Sequence, residues 1–155
     1  MADIFDDKTS LQVEVVTPAK SAFSSAAAKL RVTEVVLPGI MGQIGILPGH
    51  LPLLTALDVG TMIIRTESGD RTFYIDGGFA EISRTKITVL TEDCRGVNEL
   101  DVEGARALLE KAEKSLAHAE LHAHEAEEHD SVMEQHRAEI KRAQMRLLLS
   151  NEQHD

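Results

Sequence analysis

Cysteine occurs once, at Cys94, and tryptophan not at all. A single thiol excludes an intramolecular disulfide framework and a cysteine-based metal site, and it fits a reducing, intracellular compartment. Aromatic residues make up only 3% of the chain, so a core must rest on Val, Ile and Leu. Basic residues are outnumbered, 16 against 26 acidic ones, for a formal charge of −10. That balance argues against a protein that grips nucleic acid through its overall field. No run approaches the roughly 20 apolar residues that a bilayer-crossing helix needs. The stretch Met1 to Ser10 carries Asp3, Asp6 and Asp7 and lacks the basic start and apolar stretch of a signal peptide. The expectation is a soluble protein, at most docked beneath a membrane. With 155 residues there is room for one medium domain or two small ones, which excludes a long catalytic barrel.

What is present is unevenly placed. All prolines lie between Pro18 and Pro52, all aromatics between Phe5 and Phe79, and every glycine by Gly104. Nothing after Gly104 breaks a helix, so the grammar changes near Gly96 to Leu100. The expected domains are 1–97 and 98–155. The first reads as short strands. Leu11, Val13 and Val15 alternate with Gln12, Glu14 and Val16 up to Thr17-Pro18, as a half-buried strand closed by a turn would. A second run, Leu30 to Leu37, stops before Pro38-Gly39. Thr61–Thr66 and Arg71–Ile75 flank Glu67-Ser68-Gly69-Asp70, a hairpin signal. Phe79–Ile82 and Lys86–Leu90 follow a break at Gly77-Gly78. This spacing predicts an antiparallel β-sandwich.

The second part has helical period. Ala105, Leu108, Leu109, Ala112, Leu116, Ala119 and Ala123 form a narrow stripe of small and aliphatic residues that suits close packing against another helix. Ser131-Val132-Met133-Glu134 has the form of a capping box, and Met133, His136, Ile140, Ala143 and Leu147 would line the inner face of the helix it opens. The overall class is therefore α+β, an N-terminal sandwich followed by a C-terminal antiparallel two-helix hairpin turning near Glu127 to Asp130. With neither Gly nor Pro in the turn, closed and extended arrangements should lie within a few kcal/mol, the range in which a ligand shifts a population.

Gly42-Gln43-Ile44-Gly45-Ile46-Leu47-Pro48-Gly49-His50-Leu51-Pro52-Leu53-Leu54-Thr55, with Asp76-Gly77-Gly78-Phe79-Ala80-Glu81, closely resembles the epsilon subunit of F-type, proton-translocating ATP synthases. The resemblance extends to Val15-Val16-Thr17-Pro18 with Phe23, to Leu57-Asp58-Val59-Gly60, and to the order of a strand-rich domain before two helices. It implies a non-catalytic, regulatory and coupling subunit of the central stalk, in the complex that produces ATP from ADP using a proton gradient. The sandwich would bind the gamma subunit and rest on the c-ring, and the helices would either fold back or extend into the alpha and beta subunits of the catalytic head and obstruct hydrolysis. The implied location is peripheral, on the cytoplasmic face of a bacterial inner membrane or the equivalent face of another energy-transducing membrane. Ile40, Met41, Gln43, Ile44 and His50 are the implied gamma and c-ring contacts. Where many family members place an acidic residue in this loop, the chain has none, which implies a more apolar contact. A tight sandwich corner is the alternative for the same glycines and prolines.

Val102-Glu103-Gly104-Ala105-Arg106-Ala107 resembles the short ATP-binding motif at the start of the first helix in many epsilon subunits, with Glu103 where the family has aspartate. Arg106 offers a phosphate-compatible fork, and Arg137 or Arg142 would complete a basic cleft for a regulatory ATP; no cofactor is required. A plain surface pair between Glu103 and Arg106, with Asp101 as a helix cap, is the alternative. Arg137, Lys141, Arg142 and Arg146, assigned to the half of the second helix opposite its apolar stripe, resemble the basic surface that the family presents to an acidic segment of beta. His50 is open to three roles: interface contact, tie within its own turn, or catalytic base, the last without a nucleophile motif. His118, His122, His124 and His129 sit among Glu120, Glu125, Glu127 and Glu128. The first two share a helical face but lack a third ligand at a defined spacing, so no metal site is expected, and their protonation below about pH 6.5 would alter the hairpin equilibrium. Two other classes stay open on the residues alone: a β-sandwich adaptor that dimerises through its hairpin, and a small hydrolase using His50.

Overall fold

The computed structural model describes residues 10–121 and 129–151. The chain divides between Val97 and Asn98 into two compact units. The first is built from β1 (Gln12–Val16), β2 (Ser21–Ser24), β3 (Val32–Gly39), β4 (Gly42–Ile46), β5 (Leu53–Thr66), β6 (Gly69–Ile82), β7 (Lys86–Leu90) and β8 (Cys94–Gly96), and a 3₁₀ turn spans Val97–Glu99. The second contains α1 (Val102–Leu121) and α2 (His129–Asn151).

The strands form one sheet in the order β2-β1-β7-β6-β5-β3-β4, with β8 pairing β6 beyond the end of β7. The strands next to the two ends of that order meet, because the Leu11 N–H, just before β1, donates to the Val32 carbonyl of β3 at 2.9 Å. The sheet thus folds over on itself into two layers. Alternation on β1 turns Leu11, Val13 and Val15 inward, where they join Val35 and Leu37 of β3, Met62 and Ile64 of β5, and Ile87 and Val89 of β7. Each such side chain contributes about 1.5–3 kcal/mol on full burial. The core is mainly aliphatic, as expected, with Phe23 and Phe73 packed at its margin and their rings 5.2 Å apart, while Tyr74 is also fully buried.

Several details depart from the sequence expectations. The pairing is antiparallel except between β1 and β7, which run parallel in register from Gln12↔Lys86 to Val16↔Leu90. Short turns enforce antiparallel neighbours, but nearly the whole domain separates these two strands in sequence, so either direction is open to them. Strand β3 runs through Pro38 and Gly39 instead of stopping before them. Pro38 has no N–H to give, and it lies where the β3–β5 register shifts between Val36 and Gly39, a position that asks for none. Gly77 and Gly78, with φ +62° and +108°, bend β6 without ending it. The hairpin at residues 67–70 forms, but its turn is Glu67-Ser68, with Thr66 and Gly69 as the closing pair.

In the helical unit, Asp101 caps α1 by accepting a 3.1 Å hydrogen bond from the Gly104 N–H. Buried Ala105 and Ala112 on α1 and Ala143 on α2 permit close approach of the two backbones. Met133, His136, Ile140 and Leu147 flank Ala143 as half-buried residues, as the periodicity predicts. Helix α2 starts at His129, two residues before the capping-box serine. Leu108, placed on the inner stripe by spacing, is half exposed. Ala123, His122, His124, Glu125, Glu127, Glu128 and the His129 side chain lie outside the described residues.

Candidate functional site

The outer face of the sheet is where the first unit departs from an ordinary polar surface. Because Val15 and Val89 point inward, Val16 and Leu90 point outward, and the pairing register sets them side by side. Leu90 in turn pairs with Phe79, and Phe79 with Ala56. Four adjacent strands thereby contribute one apolar residue each to a lateral stripe, in which Phe79 is 55% and Leu90 52% exposed. A shallow depression of about 350 Å³ lies along it, walled by Pro18, Thr91 and the exposed Glu92. The Ile40 N–H donates to the Ala56 carbonyl at 3.3 Å, so the β3–β4 turn carries the stripe onward. There Ile40 is 61% and Met41 96% exposed, and Leu54, two residues from Ala56 on the same face of β5, is 71% exposed. Isolated exposed aliphatics are ordinary, whereas a contiguous band of them marks an interaction surface.

Of the residues assigned to this surface from sequence, the structure brings Ile40 and Met41 together at the turn. Gln43 is exposed on the strand β4, while Ile44 is half-buried against the core. His50 is half-buried, its N–H donates to Leu47 at 3.1 Å, and its ring Nδ1 lies 2.6 Å from the Leu51 carbonyl. A carbonyl only accepts, so Nδ1 carries the proton and the ring ties down its own turn. Val16, Leu90, Phe79 and Leu54 were missed as surface residues. The signal that could have found them was the outward parity of each strand, which becomes informative only once the register is known.

On the hairpin, a groove of about 330 Å³ between α1 and α2 is lined by Lys111, Ser115, Glu139, Arg142 and Arg146. Three cations against one carboxylate make it suited to an anion. Arg137 and Lys141 do not line it; both are exposed. The helix advances about 100° per residue, so these two fall on one side of the buried seam and Arg142 and Arg146 on the other. All four lie on the half of the helix away from the Met133, Ile140 and Leu147 stripe, with Arg142 and Arg146 at its groove edge. Nor do Glu103 and Arg106 line the groove: both are exposed on the first turn and a half of α1, and no ion pair joins them among the described residues. The Glu110 carboxyl is held below its ordinary value by a hydrogen bond from Lys114 and by that ammonium's charge. His118 is exposed, and among the described residues no three His, Cys, Asp or Glu side chains gather as a metal site. No helix of the described residues is long and apolar enough to cross a membrane.

Residues 10–96 match the family described as the ATP synthase Delta/Epsilon chain, beta-sandwich domain. The ATP synthase epsilon chain of Lawsonia intracellularis is 43% identical over 111 residues, 72% of this chain and 80% of the relative. The chain belongs to the ATP synthase epsilon chain family. The epsilon chain of Trichodesmium erythraeum is 38% identical over 139 residues, covering 88% of this chain and 93% of its own length, so this match reaches beyond the sandwich. A chain in the cryo-EM structure of the Euglena gracilis mitochondrial ATP synthase superposes with a TM-score of 0.71 over 97% of this chain and 86% of its own length. At 17% identity that likeness is one of fold.

Proposed function

We propose that this epsilon-family chain is a non-catalytic coupling and regulatory subunit in the central stalk of a proton-driven ATP synthase. In this reading the sandwich docks against gamma and the c-ring, and the helical hairpin restrains ATP hydrolysis by the alpha and beta subunits. The observation that carries the docking half is the apolar band from Val16 through Leu90, Phe79 and Ala56 to Ile40 and Met41. A band of this kind, on strands paired one to the next from β1 to β5, suits a part that transmits torque. Its apolar members favour a packed contact at the centre of the band, with Glu92 at its edge. The place of action is the peripheral face of the membrane that carries the rotor, the cytoplasmic face in a bacterium.

The regulatory half rests on the hairpin. The outward pair Arg137 and Lys141 would meet an acidic segment of beta when the helices extend, while Lys111, Arg142 and Arg146 face a groove that exists only while they are closed. A nucleotide phosphate held in that groove would favour the closed form by RT ln(1 + [L]/Kd), about 2.7 kcal/mol at a hundredfold excess over Kd. Abundant ATP would then keep the restraint folded away. The groove cations support this assignment more strongly than Glu103, Arg106 and Arg137, none of which line it.

The deciding experiment compares ATP synthesis and hydrolysis in membranes carrying either the full chain or one ending at Glu99. Retained synthesis with faster hydrolysis is the expected result. Unchanged hydrolysis would remove the hairpin from regulation, and loss of assembly would show that docking needs it.

A further inference from the structure

We propose that Met41 is a methionine oxidation site, at which a hydroperoxide converts the docking face from apolar to polar. The proposal deepens the docking reading above and rests on it for its consequence. Its chemistry rests on the turn itself. Gly39 and Gly42 close the β3–β4 hairpin as a register pair, leaving Ile40 and Met41 at the tip. Met41 is 96% exposed, whereas Met62 is fully buried and Met133 and Met145 are half-buried. Gly42, at φ +125°, has nothing within 4 Å of where a β-carbon would stand, so the tip is open on that side. The Ile40 N–H···O=C Ala56 bond anchors the tip to β5, and the thioether is therefore presented on a fixed support.

The sulfur attacks the peroxide. An S–O bond forms, the O–O bond breaks, and the proton of the attacked oxygen passes to the departing one, which leaves as water from hydrogen peroxide or as an alcohol from an organic hydroperoxide, so sulfur loses two electrons and one peroxide is reduced. A flexible apolar side chain becomes a dipolar sulfoxide with a strong acceptor oxygen. Set against an apolar partner, that oxygen loses its water without gaining a donor. Oxidation would thus block docking of the free subunit, docking would shield the sulfur in turn, and a sulfoxide reductase would restore the contact.

The test treats the purified full chain with graded hydrogen peroxide and follows each methionine by site-resolved mass spectrometry. Among Met41, Met62, Met133 and Met145, Met41 sulfoxide should accumulate first and Met62 sulfoxide last; Met41 lagging behind Met133 or Met145 overturns the site. Oxidised and untreated chains are then bound to membranes stripped of this subunit. Oxidised chain should bind roughly tenfold to a hundredfold more weakly, reductase should restore it, and Met41→Leu chain given the same peroxide should bind as before. Equal binding of oxidised and untreated wild-type chain overturns the consequence. If untreated chain also fails to bind, the docking reading itself has failed, and the order of oxidation still decides the modification site.

Discussion

Glycines in this chain divide by what a β-carbon would meet, and the division predicts their tolerance. At Gly78 the added atom would stand 1.9 Å from the Leu90 carbonyl oxygen, at φ +108°. Backbone must shift to admit it, so Gly78→Ala should cost more than about 3 kcal/mol in denaturant unfolding and distort the apolar stripe beside it. Gly42 has open space but the same sign of φ, so Gly42→Ala should cost only the conformational strain, about 1–2 kcal/mol. Equal losses at the two sites would show that the close approach of β6 and β7 is not what demands glycine. His50 offers a second residue-scale test. Its ring supports the turn through the 2.6 Å contact to Leu51, so His50→Ala should lower stability by about 1 kcal/mol.

At the scale of elements, periodicity located most of the secondary structure and turn chemistry located less. The β1 and β7 strands, Thr61–Thr66 of β5, most of β6 and both helices were legible because each carries a buried face at a regular spacing, whereas Leu53–Gly60 of β5 was not read as strand. Strand β4 was not: Gly42, Gly45 and the nearby Gly49 and Pro48 read as a turn-rich loop, and only pairing with β3 and burial of Ile46 make Gly42–Ile46 a strand. Strand β8 is three residues long with no fully buried member, too short to show a period. Ser131 signals a helix start that local sequence alone favours, yet α2 already includes His129 and Asp130. The capping site of α1 was legible, and its removal is testable. Asp101→Ala should cost about 1 kcal/mol and be seen as faster amide exchange in the first turn of α1. Along the same helix, Glu110 is held ionised by Lys114. A lowered carboxyl value means that the pair's contribution is present above the ordinary glutamate range and is lost as pH falls through the lowered value. In Lys114→Met the Glu110 titration, followed by NMR, should move up toward the ordinary range.

The split of the α2 cations turns an element-scale fact into a functional prediction. If Arg137 and Lys141 meet the catalytic head while Arg142 and Arg146 hold a nucleotide, the two pairs should fail in opposite ways. Arg137→Ala with Lys141→Ala should raise hydrolysis in the assembled enzyme and leave ATP binding by the isolated chain intact in calorimetry. Arg142→Ala with Arg146→Ala should abolish that heat and strengthen restraint at high ATP. Identical effects from both pairs would make all four one functional surface.

For the molecule as a whole, the question is whether docking and restraint belong to separate units. The candidate docking face emerged only when register brought Val16, Leu90, Phe79 and Ala56 together from four strands. That long-range arrangement leaves no local trace, which is why sequence pointed to the β3–β4 turn and missed the stripe leading to it. Phe79 lies outside the core and more than half exposed, so Phe79→Asp should cost only about 1 kcal/mol, from cross-strand packing and strand propensity. In the band, however, it would set an unpaired carboxylate against an apolar partner. Membranes carrying Phe79→Asp in the full chain should therefore lose the subunit and lose coupled ATP synthesis. A full-length chain with Arg137→Ala and Lys141→Ala should keep both and release hydrolysis. Co-sedimentation of each variant with stripped membranes, read beside synthesis and hydrolysis rates, checks the pair. Phe79→Asp chain that unfolds normally and still assembles would move the docking surface off this sheet face.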